Sequence, residues 1–128
     1  MTRRILSIDV ARVVCSVWPV TMDELRGPLT HRRIAEARHA AYWLASRATG
    51  RSMPVLGRAF RRDHTTIWHG IRAVDSGRWD QVPGFRDRLI KAEGLVALLK
   101  PVHGPDVTEG WPNPVSVAAT FQSVEVLG

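Results

Sequence analysis

Apolar positions recur at helical spacing over most of this 128-residue chain. Ile34, Ala37, Ala41, Leu44, Ala45 and Ala48 mark one face of a long helix running from Thr30 to a glycine cap at Gly50. Upstream, Ile5 to Val17 is apolar with several β-branched residues, so its pattern separates helix from strand poorly. Ile8, Ala11 and Cys15 share a helical face, which favours helix, and Pro19 ends it. Thr21-Met22-Asp23-Glu24 has the form of a capping box, so a short helix follows and Gly27-Pro28 stops it. Ser52 suits an N-cap, with Pro54 in the first turn of a helix that carries Val55, Leu56, Ala59 and Phe60. Asp63 is the expected cap of the next helix, where Ile67, Ile71 and Val74 face inward and Asp75-Ser76-Gly77 is the stop. A last helix follows Pro83, with Phe85, Leu89, Ala92, Val96 and Leu99 on one face.

These elements predict an all-α domain over residues 1–100, long enough to bury a core. Residues 101–114 hold four of the eight prolines and two glycines, which reads as a linker or extended loop. Val115 to Leu127 is strand-prone without a clean period, and disorder, an edge strand and a partner contact all stay open for it. Residues 101–128 are therefore expected to form a tail, and a protein partner could use it.

A formal charge of +6 and a pI near 11.0 point toward a polyanionic partner. Only Lys91 and Lys100 are lysines, and arginine suits phosphate forks and base edges better. A GC-rich genome would explain the excess equally well, so position matters more than count. No apolar run approaches the roughly 18–20 residues that span a bilayer, and the N-terminus lacks a signal-peptide core. A cytoplasmic, nucleoid-associated protein with no membrane contact is expected. The single cysteine, Cys15, excludes an intrachain disulfide and a cysteine-based zinc site, and reads as a buried inert thiol.

The most informative stretch runs from Leu56 to His69. It reads as a short helix, a tight basic turn at Arg61-Arg62, and a second helix opened by Asp63-His64-Thr65-Thr66. The whole unit, about Ser52 to Asp75, has the form of a helix-turn-helix, which sets the start of its second helix in the major groove. Asp63 can accept from a cytosine amino group, His64 can bond base edges, and Thr65 can offer a hydroxyl or pack its methyl on thymine. Thr66 and the helix-end amides suit a phosphate. Thr65, His69 and Arg72 fall opposite Ile67, Ile71 and Val74 on the helical wheel, and Arg58 adds to the basic flank. Asp-X-Thr-Thr is also ordinary capping chemistry, and surface histidines are usually inert.

Leu56-Gly57-Arg58-Ala59-Phe60 followed by Arg62-Asp63-His64-Thr65-Thr66-Ile67 resembles the signature of the C-terminal DNA-binding domain of the bacterial replication initiator DnaA. Ala37-Arg38 through Leu44-Ala45, Thr49 through Pro54, and Val20 through Leu25 extend the likeness, and the Pro83–Leu99 helix matches its closing helix, covering roughly residues 5–100. The resemblance implies a helical bundle around a helix-turn-helix, DnaA C-terminal and Trp-repressor-like, with double-stranded DNA as partner. It implies base reading by Asp63 and His64, thymine-methyl packing by Thr65, and a DNA contact at Pro54. Arg62, Thr66 and Arg72 match positions near the DNA backbone. A basic loop, here Thr30-His31-Arg32-Arg33, would send Arg32 or Arg33 into the adjacent minor groove, where negative potential is concentrated.

Two departures stand out. The family commonly has Gly-Gly-Arg between the Phe and the Asp, where only Arg61-Arg62 occur here, so a different entry angle of the recognition helix is expected. The minor-groove arginine is shifted, with Thr30 in its aligned place. Both put recognition of the usual DnaA box in question.

No G-x-x-x-x-G-K-[ST] loop occurs, so neither nucleotide binding nor the initiator's ATP-driven steps are expected, and the chain reads as a free-standing reader. No cofactor, metal or enzymatic activity is expected. His64 and His69 are five apart, wrong for one helical face, and Ser46 and Thr66 lack a base and an orienting group. Asp63 and His64 should point apart as neighbours in a first turn. Trp18 and Trp43 are expected in the core; Trp68, on the flank of the recognition helix, is expected to pack more than to meet DNA; Trp111 could anchor a partner.

The leading expectation is a sequence-specific regulator of transcription or replication that reads DNA through Arg32 or Arg33, Pro54, Arg61, Arg62, Asp63, His64, Thr65, Thr66, His69 and Arg72. The alternative is a DNA-docking adaptor, such as a phage packaging or replication-loading component, that acts through residues 101–128.

Overall fold

The computed structural model describes residues 3–103, with side chains for residues 5–101. Expectations for Trp111 and for residues 104–128 lie outside the described residues. Six α-helices follow in order: α1 Ser7–Val17, α2 Met22–Arg26, α3 Arg32–Thr49, α4 Met53–Phe60, α5 His64–Asp75 and α6 Phe85–Ala97. A 3-10 turn, Arg78–Gln81, joins α5 to α6. Two short strands, β1 Arg3–Arg4 and β2 Val102–His103, pair antiparallel, Arg3 opposite His103 and Arg4 opposite Val102. This pairing was not foreseen, because a two-residue strand has no period to read.

The helix punctuation is chemical. Thr21 and Glu24 form the full capping box, with Thr21 Oγ1 accepting from the Glu24 amide at 3.1 Å and Glu24 Oε1 from the Thr21 amide at 2.9 Å. Ser52 Oγ accepts from the Val55 amide at 3.4 Å, and Gly50 ends α3 at φ 65°, where a side chain would be strained. α3 begins at Arg32 rather than Thr30, so both candidate minor-groove arginines sit in its first turn and not in a loop.

α3 runs through the centre of the bundle and packs on the five other helices. Ile34, Ala37, Ala41, Leu44 and Ala45 are buried as expected, and its small residues let neighbouring helices approach closely. Gly70 lets α5 cross there, since a Cβ would stand 2.7 Å from the Tyr42 ring. Trp18, Tyr42, Phe60 and Phe85 supply the bulk of the core, with Phe60 edge-on to Tyr42 at 5.1 Å. Trp43 is only half buried; its indole N–H donates to Asp75 Oδ1 at 2.8 Å, which draws it to the rim.

Two buried charges on α3 carry no periodic signal. Glu36, 6% exposed, accepts from the Trp18 indole at 2.5 Å and from Arg88 at 2.6 and 3.1 Å, tying α1, α3 and α6 together. Arg38, 7% exposed, donates to the carbonyls of Glu24, Leu25 and Gly27 and holds α2 against α3. Cys15 is half buried, and burial pushes its thiol up to about 11, in keeping with an inert group. Among the described residues no helix is long and apolar enough to cross a membrane.

Candidate nucleic-acid interface

α4, the turn and α5 form the expected two-helix unit. The turn closes on a positive dihedral: Arg61 lies at φ 57°, ψ 47°, the only non-glycine residue of the described chain in that region. The Arg62 amide then donates to the Gly57 carbonyl at 2.8 Å. A left-handed residue directly after a helix is usually glycine, and an L-residue there costs about 1–2 kcal/mol. Gly57 is needed for a second reason, since a Cβ would lie 2.5 Å from the Arg62 carbonyl oxygen. The tight turn thus rests on a close approach at Gly57 and on strain at Arg61.

α5 buries Ile67, Gly70, Ala73 and Val74 against the bundle. The opposite side leaves His64, Thr65, Thr66, Trp68, His69 and Arg72 exposed, and Asp63, Arg61, Pro54 and Arg58 beside them are exposed too. The side chains expected to meet DNA are therefore presented outward, with Arg62 and Arg33 set apart.

Asp63 stands at the N-cap position of α5, but its side chain makes no cap hydrogen bond. It accepts instead from the Thr65 hydroxyl at 2.8 Å, while its other oxygen lies 3.1 Å from His64 Nδ1. The capping expectation is corrected, because the Thr65 hydroxyl and the imidazole draw the carboxylate sideways. The expectation that Asp63 and His64 point apart is corrected with it. The Thr65 hydroxyl holds the Asp63 carboxyl below the usual carboxylate range.

Trp68 also departs from expectation. It is 47% exposed, with the Arg72 guanidinium 5.0 Å from its ring centre and the His69 ring edge-on at 5.0 Å. The i, i+4 spacing brings Arg72 over the indole, and Ile67 and Ile71 already fill the space between α5 and the bundle.

The two arginines at the start of α3 divide sharply. Arg33 holds Glu24 through both its terminal nitrogens, at 3.1 and 2.9 Å, and donates to the Pro19 carbonyl at 2.6 Å. That pairing drives the Glu24 carboxyl down to about 2. Arg32 is exposed and has no hydrogen bond or ion pair among the described residues. It also stands at the positive end of the α3 dipole, with no acidic residue in that turn.

Arg62 is turned inward. Its guanidinium donates to the Arg26 carbonyl at 3.1 Å, to the Gly27 carbonyl and to the Arg61 carbonyl at 2.9 Å. No sequence signal marked Arg62 or Arg38 as ligands of α2, because their acceptors are backbone carbonyls. Among the described residues no group of His, Cys, Asp or Glu could hold a metal ion.

An all-α bundle in which α4, a tight turn and α5 make a two-helix unit, with a polar and basic outer face on the second helix, defines a helix-turn-helix domain. Residues 8–74 match the family described as bacterial dnaA protein helix-turn-helix, and the chain belongs to that family. The chromosomal replication initiator protein DnaA of Cereibacter sphaeroides is 38% identical over 74 residues, which is 57% of this chain and 16% of the relative. Those of Caulobacter vibrioides, 35% identical over 77 residues, and Ruegeria pomeroyi, 34% over 74, match 59% and 57% of this chain, again 16% of each relative. The chain thus spans about a sixth of the length of these relatives.

Proposed function

We propose that this protein is a sequence-specific double-stranded DNA-binding protein that regulates transcription or replication, with residues 1–100 as its DNA-binding domain, residues 101–128 as a tail, and a cytoplasmic, nucleoid-associated location. The observation that carries the reading is the division of α5: Ile67, Gly70, Ala73 and Val74 are buried, and His64, Thr65, Thr66, His69 and Arg72 are exposed on the other side. A helix packed in this way can lay its first turns in a major groove without disturbing the core.

In this reading Asp63 and His64 read base edges and Thr65 meets a thymine methyl. Thr66, His69, Arg61 and Arg72 hold the phosphates, and Pro54 closes against the duplex from α4. Arg32 takes the minor groove, and Arg33 stays with Glu24. Trp68 adds an exposed indole beside Arg72, preorganising that guanidinium for a phosphate. The shortened turn gives the recognition helix its own entry angle, so the preferred site differs from the usual DnaA box.

Selection of bound sites from random duplex DNA, followed by fluorescence anisotropy, tests the reading. One preferred site should emerge, bound roughly 10³-fold or more above random duplex at physiological salt. Recovery of random sequence, or no binding at low salt, would sink it.

A further inference from the structure

The most heavily bonded arginine of the helix-turn-helix, Arg62, is half-buried and donates to backbone carbonyls. α2 ends at Arg26, and the last carbonyls of a helix have no partner within it. Arg38 from α3 donates to those of Glu24 at 2.7 Å, Leu25 at 3.2 Å and Gly27 at 2.6 Å. Arg62 from the turn donates to those of Arg26 and Gly27. Four consecutive carbonyls, Glu24 to Gly27, are thus held by two guanidinium groups that meet at Gly27. The two like charges oppose each other, and Arg38 is drawn below the usual arginine range by burial and then by Arg62. Such a pairing persists because the acceptors at the negative end of α2 compensate it.

This clamp lies between two separate features of the surface. On one side Arg62 is followed directly by Asp63 and by α5. On the other, Gly27 leads through Pro28, Leu29, Thr30 and His31 to Arg32, the unpaired cation of α3. Pro28 fixes one dihedral of this short connection, and Gly27, at its start, is held by both guanidinium groups. A planar, two-pronged donor fixes direction as well as distance, which an ammonium cannot do.

We infer that Arg62 is a positioning residue that sets the Arg32 segment relative to the recognition helix, so that the minor-groove and major-groove contacts act as one reader. The inference rests on the DNA-binding reading above. Arg62 therefore contributes to specificity without touching a phosphate.

A double-mutant cycle on the selected duplex tests this, using the full chain with Arg62→Ala, Arg62→Lys, Arg32→Ala, His64→Ala and the pairs of each Arg62 variant with the other two. Affinity is read by anisotropy, and folding by circular dichroism. Arg62→Ala should weaken binding about tenfold, and the loss from Arg32→Ala should largely vanish in its background. His64→Ala should cost its usual factor in either background. Arg62→Lys should behave like Arg62→Ala, since one ammonium cannot span both carbonyls, and it serves where the alanine variant fails to fold. Near-normal binding by Arg62→Lys, or additive losses with Arg32→Ala, would mark a direct phosphate contact and overturn the inference. Absence of DNA binding by the unmodified protein would instead remove the parent reading.

Discussion

His64 Nδ1 lies 3.1 Å from a carboxylate oxygen of Asp63, whose other oxygen accepts from the Thr65 hydroxyl at 2.8 Å. One carboxylate therefore holds both neighbours at the start of α5. His64→Ala should cost on the order of 1–3 kcal/mol at the preferred site and flatten sequence preference. Asp63→Ala should release both neighbours and lower specificity further than Asp63→Asn, which retains an acceptor for Thr65. Anisotropy against the selected site and single-base variants measures the ranking; an Asp63→Ala protein with full specificity would contradict it.

Arg61 joins a strained dihedral to an exposed charge, so stability and binding should separate there. Arg61→Gly removes the side chain from φ 57° and should stabilise the fold by roughly 0.5–1 kcal/mol, the relief being partly offset by glycine's greater freedom when unfolded. The same change should weaken binding to every sequence and lower the salt slope by roughly 0.9. Urea unfolding and a salt titration on one preparation read both effects.

The Trp18–Glu36–Arg88 contact is buried at Glu36 and joins three helices. Glu36→Ala leaves the indole N–H and the guanidinium without their acceptor. About 2–3 kcal/mol of stability should be lost, toward the lower end for a buried pair because Arg88 keeps some solvent contact. Glu36→Gln, which can still accept, should lose less. Chemical denaturation followed by tryptophan fluorescence decides, and equal losses would show that a neutral acceptor contributes nothing and that the stabilisation rests on the carboxylate charge.

His39 should make the domain acid-sensitive. Its Nδ1 accepts from the Trp79 indole at 2.8 Å, and burial, then Arg78 and Arg38, press its pKa from 6.5 down to about 4. A depressed histidine favours the neutral folded form, so its stabilisation is full above about pH 6.5 and is lost as pH falls toward 4. Up to about 3 kcal/mol should disappear across that window. His39→Gln should flatten this part of the pH–stability curve. Melting temperatures between pH 7 and pH 4 give the test, and parallel curves for both proteins would refute it.

What the sequence could show follows from the range of each signal. Five of the six helices declare themselves through an apolar face or a capping pattern, because helix periodicity and caps are local; α1 was the ambiguous one. The outward placement of Thr65, His69 and Arg72 followed from the same periodicity, since Ile67 and Val74 had to face the core. The 3-10 turn and the β1–β2 pair left too short a trace to register. Trp68 was misjudged because an indole's hydrophobicity does not say whether the space beneath it is already filled.

By itself, then, the sequence determined the helical order, the helix-turn-helix, the family resemblance and the exposed chemistry of α5. The tertiary structure decided which of the arginines are available. Arg33 is held by Glu24, Arg38 and Arg62 by the carbonyls at the end of α2, and Arg32 by nothing among the described residues. Guanidinium groups are alike in sequence, and apart from the Arg61 carbonyl beside Arg62 their acceptors lie 9 to 36 residues away, many of them backbone oxygens that carry no residue identity. Only the folded chain brings donor and acceptor together, and so separates the arginines that build the domain from those, Arg32 among them, left exposed at its surface.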